Sequence, residues 1–370
     1  MKGVTGSGKT EVYLETVAET IAGGRQALVL LPEIALTEQF LERVSERFGA
    51  RPGEWHSDVT PAERRRLWRS VGEGGVQLVV GARSALFLPF RNLGLIVVDE
   101  EHDGSYKQEE GAIYNARDMA VLRASLCGAQ MVLTSATPSL ETWNNARVGK
   151  YDRVDLPVRV GATELPEMSA IDLRESDLPS GRWISGALAL AVREAIERGE
   201  QALLFLNRRG YAPMTICRNC GFQFVCADCD VRMVEHRFRE VLMCHQCGST
   251  RPSPEACPEC GAVGDLVAIG PGVERLAEEA RELFPEARIE ILSSDSMEAA
   301  RGFRETIERI KRGEADIVIG TQLVAKGHHF PGLTVVGAID ADFSLKGDDF
   351  RAAERTYQLM TQVAGRSGRS

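Results

Sequence analysis

The 370-residue chain has no long uninterrupted run of apolar residues and no excess of positive charge. Its apolar stretches, such as residues 27–31 and 95–98, are far shorter than the ~20 residues that a membrane-spanning helix needs. No apolar stretch near the N-terminus is typical of a signal peptide. Lys and Arg number 44 against 53 Asp and Glu, so the formal net charge of −9 gives no overall attraction to nucleic acid, although it does not exclude a local basic groove. These features predict a cytoplasmic protein that does not contact membranes.

The composition is that of a folded protein, because apolar residues make up 44% of the chain, which excludes a disordered tail or a fibre. At roughly 100 to 200 residues per domain, the length predicts two or three domains, each with its own core.

Cysteine is scarce in most of the chain but concentrated in one segment. Of the nine cysteines, eight form four C-x-x-C pairs, which are Cys217/Cys220, Cys226/Cys229, Cys244/Cys247 and Cys257/Cys260. Disulfides are the alternative, but they belong to small exported domains, and the chain has no export signal. We therefore predict two structural zinc sites of four thiolates each, which leave no position for a reacting water. We expect the ninth cysteine, Cys127, to be a small buried residue.

The spacing of these pairs predicts which of them share an ion. Five residues separate the first two pairs, which is tight for one site, whereas 14 residues separate Cys229 from Cys244 and approach the spacing of a zinc ribbon. The nested solution places Cys226, Cys229, Cys244 and Cys247 on one ion and Cys217, Cys220, Cys257 and Cys260 on the other.

Short apolar strands alternate with amphipathic helices, a pattern that predicts α/β domains with parallel sheets. In the first half we predict strands over residues 27–31, 77–80, 95–99 and 130–134, and helices over residues 10–22, 37–48, 61–71 and 116–127. In the second half we predict strands over residues 202–206, 267–269, 289–292, 317–319 and 335–339. The predicted domains are residues 1–151, a connector over 152–186, a second domain over 187–213 and 266–370, and a cysteine-rich insertion over 214–265.

A glycine-rich loop stands at the start of the first domain. Residues 3–10 read GVTGSGKT and fit G-x-x-x-x-G-K-[ST], in which backbone N–H groups hold phosphates, the lysine reaches the β- and γ-oxygens, and the hydroxyl binds Mg²⁺. A helix-forming stretch follows, as such a loop requires. We predict that ATP binds to Gly3, Val4, Thr5, Gly6, Ser7, Gly8, Lys9 and Thr10. The alternative is a glycine-rich turn that only caps a helix.

Acidic residues end the apolar strand predicted at residues 95–99. Asp99 would hold Mg²⁺ and Glu100 would polarise the attacking water, as in the second half of a nucleotide site. A solvated turn is the common alternative for such residues, but the upstream glycine-rich loop favours the nucleotide site. Residues 135–137, Ser-Ala-Thr, end a second apolar strand and taken alone indicate only a strand end.

Two arginines, Arg366 and Arg369, lie three residues apart near the C-terminus. This spacing places both on one helix face or loop edge, where they can meet a phosphate. Alone they would be a basic surface patch. Together with the glycine-rich loop of the first domain, they suggest a nucleotide held between two lobes and a site completed by an arginine finger on closure.

Seven motifs in a fixed order resemble those of superfamily 2 helicases. They are GVTGSGKT at residues 3–10, LLPEIALT at 30–37, DEEH at 99–102, SATPS at 135–139, FLNRRGY at 205–211, IGTQLVAKGHHFPGLTVVG at 319–337 and QVAGRSGR at 362–369. The cysteine-rich insertion and residues 103–117 narrow the resemblance, over essentially the whole chain, to the PriA family of replication restart helicases. The resemblance implies two RecA-like P-loop NTPase lobes with a double zinc-binding insertion in the second. It also implies an ATP-dependent 3′→5′ DNA helicase that recognises stalled forks and begins primosome assembly.

The resemblance further implies roles for single residues in handling the nucleotide. Lys9 and Thr10 would bind the phosphates and Mg²⁺, Asp99 and Glu100 would serve the metal and the water, and Arg366 and Arg369 would meet the γ-phosphate. Gln362, counted among the nucleotide-binding residues, and His102 would connect the nucleotide to the rest of the helicase.

The resemblance assigns DNA contacts to residues 32–34, 81–84, 207–209 and 321–326 and to the loop at 106–117. The candidate side chains are Arg83, Tyr106, Lys107, Tyr114, Arg117, Arg208, Thr321 and Lys326. In the loop, the tyrosines offer faces on which bases stack, and the two cations can meet backbone phosphates. The alternative is an ordinary loop whose tyrosines belong to a local core. The implied partners are forked and single-stranded DNA, primosome proteins and single-strand binding protein.

The insertion resembles the family's cysteine-rich region, which takes part in strand opening and in contacts with primosome proteins, although a purely structural site would need the same eight thiolates. Family members carry further regions on both sides of this part. We therefore expect a helicase core that lacks the strand before the glycine-rich loop and has a gap in its first sheet. A rival function is a zinc-bearing platform for DNA and primosome partners that does not turn over ATP. The intact Lys9, Glu100, Arg366 and Arg369 argue against that rival.

Overall fold

In a computed structural model, the chain divides into two units, Met1–Leu165 and Pro166–Ser370. The structure describes residues 1–32, 38–161, 166–173, 175–176, 178–179, 182–206, 214–217, 219–229, 233–236, 241–244, 247–263, 266–269, 272–292, 300–321, 330–342, 345 and 350–365.

The first unit is built on a parallel sheet of five strands. They are β2 (Gln26–Leu30), β3 (Gly53–Trp55), β4 (Leu78–Gly81), β5 (Leu93–Val98) and β8 (Gln130–Leu133), in the order β3-β4-β2-β5-β8. The helices are α1 (Lys9–Ala22), α2 (Glu38–Phe48), α3 (Pro61–Glu73), α4 (Ala116–Cys127) and α5 (Leu140–Arg147). A short hairpin of β6 (Lys107–Gln108) and β7 (Tyr114–Asn115) precedes α4.

The strands of this sheet are apolar on both faces, as in parallel sheets that helices cover on both sides. In β2, Leu28 and Leu30 pack into one core, while Ala27 and Val29 pack into another. Successive side chains of a strand point to opposite faces, so one uninterrupted apolar run fills two cores. The strands also end at the same edge of the sheet, which places the acidic residues after β5 beside the end of β2.

A two-residue strand, β1 (Lys2–Gly3), precedes the glycine-rich loop. It pairs in parallel with β9 (Asp155–Leu156), and on its other side Gly3 N donates to Ser135 O (3.1 Å), just beyond β8. The prediction of a lacking strand and a gap in the sheet is therefore wrong. The two residues before the loop form a short strand, and their backbone groups form hydrogen bonds on both sides.

The second unit contains a parallel sheet of four strands. They are β10 (Gln201–Leu206), β16 (Ile289–Leu292), β17 (Ile317–Gly320) and β18 (Leu333–Ile339), in the order β16-β17-β10-β18. The accompanying helices are α6 (Gly186–Glu197), α7 (Val273–Leu283), α8 (Ala300–Lys311) and α9 (Ala352–Ala364). The predicted α/β class is confirmed in both units. Among the described residues, no helix has both the length and the apolar character needed to cross a membrane.

The cysteine-rich insertion is made of short antiparallel strands. One pair is β11 (Met214–Cys217) with β15 (Leu266–Ile269), and a second small sheet contains β12 (Val234–His236), β13 (Val241–Met243) and β14 (Thr250–Pro252). The strand predicted at residues 267–269 exists, but its assignment to the parallel sheet is wrong, since β15 closes the base of the insertion. Strand residues fit either kind of sheet, and tertiary contacts decide the partner.

Candidate functional site

The glycine-rich loop joins β1 to α1 and depends on two glycines with positive φ. Gly6 has φ 85° and Gly8, the residue before α1, has φ 79°, a region that residues with a side chain rarely adopt. Val12 N donates to Gly8 O (3.2 Å), so the helix begins directly at the loop. The first N–H groups of a helix have no partner within it and carry partial positive charge. This geometry fits a loop that holds phosphate.

Lys9, the first residue of α1, lies against the loop. Its Nζ donates to Gly3 O (2.9 Å) and Val4 O (3.4 Å). A Cβ on Gly3 would lie 2.8 Å from Lys9 Cγ, so only glycine permits this packing. Ser7 Oγ is buried, and it has no hydrogen-bond partner within the described ranges. A cation, loop N–H groups and an unpaired buried hydroxyl in one cradle fit the phosphates of a nucleotide.

Asp99 follows β5 and is almost buried. Its Oδ1 accepts from Glu100 N (2.9 Å), and its Oδ2 accepts from the Tyr13 hydroxyl of α1 (3.1 Å). Burial, and secondarily the Glu100 carboxylate, raises the pKa of Asp99 to about 7, while Lys9 acts in the opposite direction. The loop and the strand end therefore share one electrostatic environment. A divalent cation at this place would favour the ionised carboxylate.

Glu100 adopts a left-handed backbone conformation with φ 47°. Such a conformation costs about 1–2 kcal/mol and persists only where the surroundings hold it. On one side, the Tyr106 hydroxyl donates to Asp99 O (2.7 Å) and Leu30 O (3.0 Å). On the other side, Glu101 N donates to Thr134 O (3.1 Å). The strain lies at the residue predicted to act on water, and strained residues cluster at functional sites.

Glu101 carries a buried hydrogen-bond network. Its Oε1 accepts from Ser139 N (2.7 Å), and its Oε2 accepts from Ser139 Oγ (3.0 Å) and Thr142 Oγ1 (2.9 Å). Arg117 Nη1 lies 3.3 Å from the same Oε2 and donates to Ser139 Oγ (2.6 Å). The network fixes the strand end to the SATPS segment and to the start of α4 and α5.

His102 connects the acidic strand end to the next strand end. Its Nδ1 lies 2.7 Å from Ser135 Oγ and 3.6 Å from Glu100 Oε2. Ser135 Oγ in turn accepts from Thr137 N (2.9 Å). Residues 135–137, which alone indicated only a strand end, are therefore in contact with the nucleotide-site residues.

Two of the residues predicted to contact DNA in the first unit are buried instead. Tyr106 is 1% exposed and its ring belongs to the core of the first unit, with the hydroxyl bound to the carbonyls described above. Arg117 is 7% exposed and its guanidinium is held by Glu101, Ser139 and Asp118. Neither can offer a stacking face or a cation to DNA, so the prediction is wrong for both. The alternative of a tyrosine in a local core is correct for Tyr106.

The other candidates of this region lie at its surface. Arg83 Nη1 donates to Ser105 O (2.9 Å) and thereby holds the segment before the hairpin. Lys107 is exposed and pairs with Glu109 (3.4 Å). Tyr114 is half-buried, with its ring edge-on to Phe87 at 5.2 Å between centroids. Their role in DNA binding remains a prediction.

Besides the eight paired cysteines, the structure describes two of the site residues predicted in the second unit. Thr321 is buried directly after β17, and Gln362 lies half-buried in the last turn of α9. Arg208, Lys326, Arg366 and Arg369 lie outside the described residues, so their predicted roles stay predictions.

The eight paired cysteines form two clusters of four Sγ atoms. Cys217, Cys220, Cys257 and Cys260 make one cluster, and Cys226, Cys229, Cys244 and Cys247 make the other, with all Sγ atoms of a cluster within 4.8 Å of one another. The nested pairing is confirmed. Four sulfurs at 2.3 Å from a tetrahedral zinc ion lie about 3.8 Å apart. The shortest Sγ–Sγ distances, 3.4 to 3.6 Å, are close to that value, so the clusters fit zinc.

Two further observations concern single cysteines. The Asn219 amide donates to Cys260 Sγ (3.5 Å) and lowers the pKa of Cys260 to about 6, which favours the thiolate that a metal binds. Cys127, at the end of α4, is exposed. The expectation that it is buried is wrong, because α4 turns this position away from the sheet.

The sequence motifs did not identify two residues of the candidate site. Tyr13 reads as an apolar position of α1, and Glu101 reads as one more carboxylate in an acidic strand end. Nothing in their sequence context distinguishes them, because their partners, Asp99 for the first and Ser139 and Arg117 for the second, come from other parts of the chain.

Comparisons with known proteins show which families the chain resembles. The family described as DEAD/DEAH box helicase matches residues 1–146, and the family described as PriA DNA helicase Cys-rich region (CRR) domain matches residues 226–252. Replication restart protein PriA of Rickettsia conorii is 47% identical over 369 residues, which are 100% of this chain and 57% of the relative. The same protein of Bacillus subtilis is 44% identical over 100% of this chain and 46% of the relative. The chain thus spans about half the length of the curated relatives that it matches.

Solved structures show the same fold at low identity. The helicase MrfA bound to DNA has a TM-score of 0.56 at 15% identity, covering 100% of this chain and 44% of MrfA. Helicase Lhr of Mycobacterium smegmatis, bound to single-stranded DNA and AMP-PNP, has a TM-score of 0.51 at 17% identity, covering 99% of this chain and 41% of Lhr. The fold is therefore that of two RecA-like helicase lobes with a double cysteine insertion in the second.

Proposed function

The chain belongs to the PriA family of superfamily 2 helicases, and from this premise we propose that it is an ATP-driven 3′→5′ DNA helicase. It would act at stalled replication forks, restart replication and begin primosome assembly. One observation carries the proposal: Lys9 of the glycine-rich loop and the Asp99–Glu100 strand end form one site in the first unit, with the strained Glu100 held between two hydrogen-bonded neighbours.

In the proposed reaction, the loop N–H groups bind the phosphates of ATP and Lys9 Nζ moves from the Gly3 and Val4 carbonyls to the β- and γ-oxygens. The Thr10 hydroxyl and Asp99 would hold Mg²⁺, which would neutralise negative charge on the phosphates. Glu100 orients the attacking water and accepts its proton. Asp99 must be ionised for this role, and a bound cation reverses the effect of burial on its pKa.

The proposal gives the second lobe the remaining nucleotide contacts. Arg366 and Arg369 would stabilise the charge that develops on the γ-phosphate, and Gln362 would contact the nucleotide. The contact of His102 with Ser135 supports a link between the nucleotide and the rest of the helicase.

For DNA, we propose backbone contacts by Arg83, Lys107, Arg208, Thr321 and Lys326, with Tyr114 as the remaining aromatic candidate. The partners would be forked and single-stranded DNA, primosome proteins and single-strand binding protein. The two cysteine clusters would each hold one Zn²⁺ in a closed, structural site.

The proposal is tested by unwinding of partial duplexes that carry a single-stranded tail on one strand only. We expect ATP-dependent unwinding of the duplex whose single-stranded tail ends in a free 3′ end. We expect no unwinding of the duplex whose tail ends in a free 5′ end. The Lys9→Ala variant should unwind neither. Unwinding of the opposite duplex alone would contradict the polarity, and a folded, metal-loaded chain that binds forks but never unwinds them would favour the rival platform function.

A further inference from the structure

The segment at residues 154–160 runs along the start of the chain up to the glycine-rich loop. Lys2 N donates to Val154 O (2.8 Å), Val4 N donates to Leu156 O (3.1 Å), and Val160 N donates to Gly6 O (3.0 Å). Backbone hydrogen bonds therefore hold both ends of the segment to the start of the chain and to the loop. Sequence reasoning placed it in the connector and gave it no function.

The exposure of three successive side chains in this segment is the reverse of the usual pattern. Arg159 is 5% exposed, while Val158 and Val160 are 68% and 71% exposed. Arginine is among the residues most often exposed, and valine is among the residues most often buried. Hydrophobic burial alone would turn the valines inward and the arginine outward. A site where an arginine is buried and its neighbouring valines are exposed is expected to be functional.

The buried arginine lies against the loop that fits phosphate. A Cβ placed on Gly6 would lie 3.7 Å from Arg159 Cγ and 3.9 Å from its Cδ, so the arginine stem passes directly beside this glycine. A Cβ on Gly8 would lie 3.2 Å from Val160 Cγ2. Burial lowers the pKa of Arg159. The guanidinium stays charged nevertheless, because arginine is not deprotonated in proteins.

We propose that Arg159 binds the nucleotide, with its guanidinium donating to a phosphate oxygen of the di- or triphosphate held by the loop. The inference rests on the proposed nucleotide site. It adds a second cation beside Lys9, and a planar guanidinium with several fixed donors suits phosphate better than a point charge does.

The test is direct binding of ADP and ATPγS, with Mg²⁺, to the 370-residue chain by titration calorimetry. Arg159→Met should weaken both affinities about 10- to 100-fold, as expected for loss of a hydrogen bond between charged groups. Arg159→Lys should lie between this variant and the wild type. The matched control is Arg153→Met, since Arg153 is in the same stretch of chain, is exposed and pairs with Asp155. It should bind within about twofold of the wild type because it removes the same charge away from the loop.

A structural role is distinguished by melting each variant without and with ADP. The gain in melting temperature on adding ADP should be smaller for Arg159→Met than for the wild type, because the variant binds ADP more weakly. A nucleotide-free melting temperature well below wild type, with Arg159→Lys equally affected, would overturn the inference. The inference would also be overturned if Arg159→Met changed the ratio of ATP to GTP affinity but not the ADP affinity. That result would indicate that Arg159 contacts the base and not a phosphate.

The outcomes separate this inference from the proposed function. If the wild type binds ADP and Arg159→Met binds it equally well, only the role of Arg159 fails. If the wild type binds no nucleotide, the proposed ATPase and the role of Arg159 fail together.

Discussion

The nucleotide site of the first unit and the cysteine-rich insertion of the second are ordered by different means. The first is embedded between two cores of the parallel sheet, and its strained Glu100 is held by buried hydrogen bonds. Among the described residues of the insertion, one core cluster contains five buried residues, two of them the cysteines Cys226 and Cys244. With a core cluster of this size, we expect the insertion to depend on metal to stay folded. We therefore expect that a substitution which abolishes nucleotide turnover leaves the zinc content unchanged, and that loss of zinc from the insertion leaves the proposed nucleotide site folded.

The largest effect is expected from the lysine of the loop. Lys9→Ala removes the cation that reaches the β- and γ-oxygens and should lower DNA-stimulated ATP turnover by about 100- to 1000-fold. Zinc content, measured by atomic emission, should not change, because Lys9 belongs to the first unit and all eight paired cysteines belong to the second. Unchanged turnover would remove the loop from the mechanism.

Loss of one cysteine should release the metal of its own cluster only. Cys226→Ser should halve the zinc content and impair unwinding more than DNA-stimulated ATP hydrolysis, while Cys127→Ser, the matched control, should do neither. Adding Cys247→Ser to Cys226→Ser should release no further zinc, whereas adding Cys217→Ser should release the rest. Equal loss of unwinding and ATP hydrolysis would instead assign the insertion to holding the second lobe together.

Within the first unit, the buried Glu101–Arg117 pair is expected to matter more than any surface pair. Arg117→Met leaves the Glu101 carboxylate buried without its cation and should lower the free energy of unfolding by about 3–5 kcal/mol. Glu101→Gln combined with Arg117→Met should cost less than the sum of the two single changes. Chemical unfolding measures both effects, with Arg153→Met as the exposed control. Strict additivity would argue against a coupled network.

The raised pKa of Asp99 predicts a dependence of stability on pH. In the folded chain this pKa is about 7, against about 3.9 for an unfolded chain, so the stabilising contribution of protonated Asp99 is present below about pH 4 and is lost as the pH rises to about 7. Without nucleotide and Mg²⁺, Asp99→Asn should be more stable than the wild type above pH 7, by roughly 2–4 kcal/mol. Melting temperatures of both proteins are measured from pH 4 to 8. If the difference between them does not change with pH, burial does not shift this pKa.

The smallest effect concerns the loop between the strand end and α4. Lys107→Ala should weaken binding of single-stranded DNA and lower the magnitude of its salt dependence by about one phosphate contact. Tyr106→Phe should leave DNA affinity unchanged, because the ring is buried, and should only destabilise the fold through the lost hydroxyl contacts. The reverse ranking of the two variants would restore Tyr106 as a stacking residue.

Features encoded by neighbouring residues could be predicted from the sequence. The loop at residues 3–10, the acidic strand end and the nested cysteine pairs depend on short spacings, and their geometry follows from the local chain. Tyr106, Arg117 and Arg159 could not be assigned in this way. Their burial depends on contacts with Leu30, Glu101 and Gly6, respectively, which come from other segments of the chain. The helix and strand periodicity of the sequence does not predict such contacts.

The central claim is that one site in the first unit hydrolyses ATP in response to DNA. The most direct measurement is ATP hydrolysis by the purified, zinc-loaded chain with and without single-stranded and forked DNA, for the wild type and Lys9→Ala. We predict strong stimulation by DNA in the wild type and none in the variant, at equal zinc content. A cooperatively folded, zinc-loaded wild-type chain that binds forked DNA but shows no turnover would contradict the account.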